Sequence, residues 1–425
     1  MAVGQCSRVC WLLVVTMAQL AAVYSAPTCS KYLTWPANWH LGSSPLRLCA
    51  INTVDSHLAT RHLATPTRQL PLPRTLPEHS QTNDSTPPTW TLPSHSAVFE
   101  LSPGCVTGDY GMTFDTTAVV ANNRWHRQQL PEYRPTTRRE FVTLVNLVIV
   151  WGQHYQHFMM ETLPRMATLR KLYPALAADQ STDVAYLVQA GPGLVLLQQL
   201  LQVPAHQIVV AQRDTLYCAK QVLFPEFVDQ QKMGLLPPGA YDGVKPLLRQ
   251  QPPPDYNLPE EARDDTRPLI VYLRRSQQEA RGVDLELESH VLRVLQRRVD
   301  TQRFRLHFWH PHAKHGWQQD RRVFHKAAVV IGPHGGAFSN LPFCPSTTVV
   351  VEILPWSGLQ PPVTADVVKR DVRPCYWSMA MALGLEYWQF EPQRFGFNQP
   401  NMTFDGELLL GLLAQLGVLA PETVY

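Results

Sequence analysis

"VVIGPHGGAFSNLPFCPSTTVVVEI", Val329 to Ile353, sets Gly332-Pro333-His334-Gly335-Gly336 between two runs of β-branched residues. The runs predict buried strands, "AAVVI" at 327–331 and "TVVVEI" at 348–353. Pro345 bounds the segment between them, which leaves Gly336 to Phe343 for about two helical turns. A strand passing through a glycine turn into a helix offers unpaired N–H groups and the positive end of the helix dipole, which suits a phosphate. Gly335 and Gly336 let a ligand approach the main chain, with Ala337 next in line. His334 adds a hydrogen bond or, protonated, a charge, and Ser339 and Asn340 lie one turn on. The alternative is a tight turn with packing glycines and an incidental histidine. Glu352 falls deep in the second strand, where an acid needs a partner or faces a ligand at the strand end, such as a sugar hydroxyl.

Outward from this stretch, strand and helix patterns alternate. "LIVYL" (269–273) and "FRLHFW" (304–309) read as strands, and "LELESHVLRVLQRRV" (285–299) as an amphipathic helix. "FDGELLLGLLAQLG" (404–417) is a final helix. Upstream, "FVTLVNLVIVW" (141–151), "VAYLV" (184–188) and "QIVVA" (207–211) are strand-like, and "ETLPRMATLRKLYPAL" (161–176) and "GLVLLQQLLQV" (193–203) helical. Alternation of this kind predicts an α/β chain with parallel sheets covered on both faces. The polar, proline-rich run Arg249 to Pro268 divides it. The resulting expectation is an N-terminal α/β domain over 97–250, a linker over 251–268, a C-terminal α/β domain over 269–395 and a tail helix within 396–425. Ligands in such sheets bind at the carboxyl ends of strands and in the crevice between halves.

Ahead of this lies a different kind of sequence. Arg8 precedes the apolar run Val9 to Ala26, which is short for a membrane span and closes in small residues. Residues 1–26 are read as a cleaved secretory signal or an uncleaved signal anchor, which places the remainder in a lumen or outside the cell. Residues 27–96 are read as a stem, on the strength of the proline-, serine- and threonine-rich run from Thr65 to Ser96. Cys6 and Cys10 fall in the signal. Cys29, Cys49, Cys105, Cys218, Cys344 and Cys375 remain for disulfides of open pairing. Asn83-Asp84-Ser85 and Asn401-Met402-Thr403 are glycosylation sequons suited to the same compartment. A net charge of +3 over 425 residues, with no basic stripe, gives no case for nucleic acid.

Three further groups carry candidate chemistry. In "HYQHFMMETLPRM" (154–166) a helix brings His157 and Glu161 to one face, a carboxylate beside an imidazole as in a general base. Arg165 stands at i+4 from Glu161, either as a routine ion pair or as a substrate contact, and Pro164 bends or ends the helix. In "VYLRRSQQEAR" (271–281) Arg274, Arg275 and Arg281 follow a strand; guanidinium forks suit phosphate oxygens, or they form a solvated basic loop. In "HFWHPHAKHGW" (307–317) His307, His310, His312 and His315 raise a metal-dependent hydrolase, but no second acidic cluster accompanies them, so no metal site is expected.

Taken in order, "HYQHFMMETLPRM", "VYLRRSQQEAR" and "VVIGPHGGAFSNLPFCPSTTVVVEI" resemble the motifs of glycosyltransferase family 61, with lesser echoes in "LYCAKQVLFP" (216–225) and "CYWSMAMALGLEYW" (375–388). The chain departs from that pattern in having Gly336-Ala337-Phe338 after His334-Gly335, and acids at Glu286 and Glu288 where an Asn-Glu pair often stands. The resemblance implies an inverting enzyme of GT-B fold, two Rossmann-like domains facing across a cleft, with a UDP-sugar held by the C-terminal one. It implies Glu161 as base with His157 as its orienter or replacement. Donor contacts would come from His334, Gly335, Gly336, Ala337, Ser339, Asn340, Arg275, Arg281 and Glu352, with Arg165 as a further substrate contact. No cofactor is implied beyond the nucleotide-sugar donor. A glycan or protein acceptor and a Golgi or ER lumen complete the expectation; a non-catalytic glycan- or nucleotide-binding protein of the same fold is the alternative.

Overall fold

The computed structural model describes residues 95–108, 110–115, 118–121, 135–149, 151–228, 235–252, 265–275, 281–310, 316–354, 375–390, 392–393 and 401–420, with the backbone of four short strands ahead of residue 95. The expected signal segment, the Asn83 sequon and most of the 251–268 linker lie outside these residues. Among the described residues no helix is long and apolar enough to cross a membrane.

The chain forms a mixed α/β structure with two sheets. The C-terminal sheet has six strands in the order Arg305–Trp309, Leu269–Leu273, Ala327–Pro333, Val349–Ile353, Glu386–Phe390 and Arg74–Leu76. Every neighbouring pair is parallel. Its inner strands are buried along their length, which is why they read as unbroken apolar runs. Helix Leu285–Arg298 covers one face through Val291 and Leu295, capped by the Asp284 carboxylate, which accepts from the amides of Glu286 and Leu287. Taken from Leu269 onward, the first five strands stand in the spatial order second, first, third, fourth, fifth. The crossovers leaving Leu269–Leu273 and Ala327–Pro333 therefore run to opposite sides, and the tips of these two strands form the topological switch point of the sheet.

The N-terminal sheet is mixed, not parallel as expected. Its centre is the long strand Thr215–Val228. It pairs in parallel with Thr137–Asn146, and that strand with Val184–Val188. On its other edge it pairs antiparallel with His95–Leu101 and Gly104–Thr107. Cys105 and Cys218 are register partners there and form a disulfide. Cys344 and Cys375 are buried thiols.

Two boundaries differ from the sequence reading. Residues 27–96, expected as a stem, contain Tyr32–Leu33, Leu46–Ala50 and Ala59–Leu63, which pair into the N-terminal sheet, while Arg74–Leu76 adds the sixth strand to the C-terminal one. A proline-rich run has no periodicity of its own, yet a sheet edge supplies its hydrogen-bond partners. Residues 235–250, expected wholly in the N-terminal domain, bridge both halves. Tyr241 donates to the Met159 carbonyl, Leu236 N–H donates to Ser378 Oγ, and Arg249 donates to the Leu383 carbonyl.

The two sheets share one apolar core. Val145 and Leu223 from the first sheet, Phe158, Met159 and Leu163 from the helix after it, Phe338 and Leu341 from the glycine-turn segment, and Val271 and Val330 from the second sheet belong to one continuous cluster.

Candidate active site

The segment after the His334 turn is helical as expected, but in the tighter 3-10 form, Gly336–Phe343. Gly332 sits where a Cβ would lie 2.6 Å from Leu273 Cβ, so only glycine lets the first and third strands close at their tips. Arg274 and Arg275 leave the tip of Leu269–Leu273. Arg274 Nη2 pairs with Glu288 Oε2 at 2.9 Å, and Arg275 Nη1 donates to the His334 carbonyl at 3.1 Å. Glu288, one of the acids that departs from the family pattern, thus fixes an arginine. A cavity of about 160 Å³ opens at this switch point, lined by Arg274, Arg275, Trp309, Gly335, Gly336 and Ala337 among others. Guanidinium groups and glycine backbone of this kind suit an anion.

A methyl group on Gly335 would lie 2.4 Å from Arg275 Nη1. The obstructed atom is the far end of a long side chain, so Gly335→Ala displaces the guanidinium from the His334 carbonyl and leaves the apolar core intact. We expect this variant to lose at least tenfold in affinity for a nucleoside diphosphate, the loss typical of one charge-assisted hydrogen bond. A melting temperature only a few degrees below wild type is expected alongside, since one hydrogen bond is lost and no core contact changes. Calorimetric titration with UDP and a thermal melt check both.

His334 does not line this cavity. Its ring is buried at 2 % exposure, packs on Tyr376, and shares a 2.5 Å hydrogen bond between Nδ1 and Glu352 Oε1. Tyr387 donates its hydroxyl to Glu352 Oε2, and burial, reinforced by the Glu352 charge, holds that hydroxyl well above the usual tyrosine range and hence protonated. Both oxygens of Glu352 are therefore occupied. The carboxylate anchors His334 and is fully buried, which leaves it no open face for the expected ribose contact. Ser339 and Asn340 are also buried, contrary to their expected place in a donor pocket. Ser339 Oγ is buried near the Tyr376 hydroxyl. Asn340 accepts from Tyr155 Oη at 2.7 Å. Arg281 stands in a left-handed conformation, its charge felt at Tyr376.

The second motif folds against the first. Helical residues 155–172 begin with Tyr155–His157, widen into a π-helical turn Phe158–Thr162, and continue as Leu163–Leu172. Pro164 has no N–H to return to Met160, and the π turn absorbs that mismatch so that the helix runs on where the sequence suggested a kink or stop. Burial, then the charge of Asp320, pushes the Tyr155 hydroxyl well above its ordinary range, so it remains a donor to Asn340. Gln156 Oε1 lies 3.4 Å from where a Cβ on Gly336 would stand. The helix start thus abuts this cavity at Gly336.

His157 Nδ1 lies 2.7 Å from Glu161 Oε1. The Glu161 side chain is 5 % exposed and that of His157 22 %. A carboxylate at Nδ1 fixes the tautomer with Nδ1–H donating, which leaves the Nε2 lone pair to accept a proton. The imidazole faces outward and the carboxylate stands behind it, the order of the expected alternative in which His157 replaces Glu161 as base. Arg165 is 2 % exposed and belongs to the interior, not to a substrate surface. Its Nη2 meets Glu226 Oε1 at 2.5 Å and its Nη1 donates to the Glu161 carbonyl at 3.0 Å.

Three residues of this region were not singled out from sequence. Glu226 follows the family-like "LYCAKQVLFP" by one position. Trp309 lay hidden in the histidine-rich stretch, where its indole donates to Asp320 Oδ1 at 2.8 Å and flanks the cavity. Trp151 is 45 % exposed with a φ of 64°, its ring 5.4 Å from that of His157. Of the histidines, His307 lies in strand Arg305–Trp309 and His310 follows it, while His312 and His315 lie outside the described residues. Among the described residues no three metal-ligating side chains come together.

No curated protein matches the chain. Residues 155–351 match the family model Glycosyltransferase 61, from the first residue of the His157 helix to the strand before Glu352. This span takes in both arginines and the His334 turn. Over these residues the chain is similar to the glycosyltransferase 61 family.

Proposed function

We propose that this protein is an inverting glycosyltransferase that moves a sugar from a UDP-sugar to a hydroxyl of a glycoprotein or polysaccharide acceptor in the lumen of the secretory pathway. The observation that carries this reading is the meeting of helix start and glycine turn, through Tyr155–Asn340 and Gln156–Gly336, beside a cavity lined by two arginines. The C-terminal sheet, with its cavity at the switch point, is the donor-binding half of a GT-B arrangement. The N-terminal half, which supplies His157, is the acceptor side.

An inverting transfer displaces a nucleoside diphosphate as the acceptor oxygen attacks the anomeric carbon. The leaving group gains charge, and Arg275, with Arg274 beside it and the Gly335–Ala337 backbone, is placed to meet it. Removing one such donor typically costs about 2.7–4 kcal/mol. His157 Nε2 takes the acceptor proton as the new bond forms, and Glu161 steadies the resulting imidazolium. Trp151, exposed in a strained conformation beside His157, offers the acceptor an aromatic face. The Cys105–Cys218 disulfide and the exposed Asn401 of the second sequon support an oxidising, glycosylating compartment.

The test is a donor screen. Purified protein lacking residues 1–26 is incubated with a panel of UDP-sugars and scored by released UDP and by thermal shift. We expect one or two donors to raise the melting temperature and to release UDP slowly by hydrolysis, with binding retained in EDTA. Binding without any UDP release, unchanged in His157→Ala, would instead support a non-catalytic binding protein. No binding to any nucleotide contradicts both readings.

A further inference from the structure

We propose that Glu226 is a positioning residue that keeps Arg165 off the Glu161 carboxylate, reserving that negative charge for His157. The inference rests on the reading of His157 as the base. Arg165, Glu161 and Glu226 are 2 %, 4 % and 1 % exposed, so their charges interact with little screening by water. Within this cluster the guanidinium makes a definite choice. Its Nη2 stands 2.5 Å from Glu226 Oε1, whereas its nearest approach to the Glu161 carboxylate is 4.0 Å, from Nη1 to Oε2. Nη1 instead donates to the Glu161 backbone carbonyl at 3.0 Å. Glu226 is held in turn, since its Oε1 accepts from the Phe227 amide at 2.9 Å, and the Phe227 ring lies 5.1 Å from the guanidinium carbon. Glu161 Oε1 is left to His157 Nδ1 at 2.7 Å.

The charge count follows. Glu161 and Glu226, when ionised, carry two negative charges and Arg165 one positive, so the cluster is one charge short of neutral until His157 binds a proton. Taking up the acceptor proton completes the balance, which favours the imidazolium formed in the transfer step. The other groups facing Glu161 do not alter this count. Tyr241, from the bridging segment 235–250, is held protonated by burial and by the Glu161 charge and donates to the Met159 carbonyl. Cys375, near Tyr241, is a buried thiol, and Ser339 and Asn340 of the glycine-turn segment are uncharged. His154 lies outward of His157, with ring centroids 6.4 Å apart.

Glu226→Gln removes one negative charge at nearly constant shape and releases Arg165 toward Glu161. Arg165→Gln does the opposite. The His157 ring resonance, identified by its loss in His157→Gln, is followed by NMR against pH. We expect its titration midpoint to fall by at least about half a pH unit in Glu226→Gln and to rise by a similar amount in Arg165→Gln, as single buried charges act on a neighbouring ring. Simple loosening of the fold does not produce opposite signs. If Glu226→Gln fails to fold, the double variant Arg165→Met with Glu226→Leu removes both charges together, and its midpoint should stay near wild type. An unmoved midpoint in Glu226→Gln, shifts of one sign in both single variants, or a midpoint displaced in the double variant overturns the proposal. The acid limb of kcat against pH should move with the ring. A ring that shifts while that limb stays put keeps the role of Glu226 and refutes His157 as the base.

Discussion

Replacing His157 by alanine is expected to lower kcat by about 10²–10⁴-fold, the usual contribution of a positioned proton acceptor. UDP affinity should remain within about twofold of wild type, because the imidazole touches acceptor and not donor in this reading. Stability should also change little. The His157 side chain is 22 % exposed, so its removal admits water to the Glu161 carboxylate behind it. His157→Gln sharpens the result: an amide still donates to Glu161 but cannot take a proton at pH 7, so a loss as large as in the alanine variant identifies proton transfer and not geometry. Initial rates at saturating donor, paired with a UDP titration, make the measurement.

The second large effect concerns stability as well as activity. Glu352→Leu strips acceptors from two buried donors at once, His334 Nδ1–H and the Tyr387 hydroxyl. Each such loss costs about 1–3 kcal/mol, so we expect roughly 2–6 kcal/mol of destabilisation. The turn carrying Gly335 and Gly336 is braced on the other side by Arg275, which donates to the His334 carbonyl. Loosening one brace disturbs the other, and UDP binding should be lost with the stability. A melt that falls while UDP binding is retained would separate the anchor from the donor site and contradict this coupling.

The C-terminal strands were legible because they are buried on both faces. Ala327–Pro333 and Val349–Ile353 leave β-branched runs that no helix or loop would carry. The glycine turn was legible for the same local reason, since only glycine permits the close approach at Gly332. Partner choice was not legible. Thr215–Val228 contains Lys220 and Pro225 and lacks a clean alternation, and its length comes from neighbours supplied by three distant segments. The antiparallel edge and the added strand Arg74–Leu76 escaped for that reason.

Within the site, the i, i+4 spacing of His157 and Glu161 gave the pair but not its direction. Which member faces outward depends on Arg165, and where Arg165 turns depends on Glu226, sixty-one positions away. Likewise Asn340 and Glu352 carry polar atoms in a ligand-like motif, but Tyr155 and Tyr387 arrive from elsewhere and occupy them. Polar residues in a motif announce that hydrogen bonds are needed there, and the tertiary fold decides whether a ligand or the protein supplies them.

The measurement that bears most directly on the whole account is a crystal structure with UDP bound. The diphosphate should lie at the tips of Leu269–Leu273 and Ala327–Pro333, within hydrogen-bond reach of Arg275 and the Gly335–Ala337 amides, with His157 Nε2 turned toward the space beyond its terminal phosphate. A nucleotide seated elsewhere, or an imidazole turned away from it, contradicts the account.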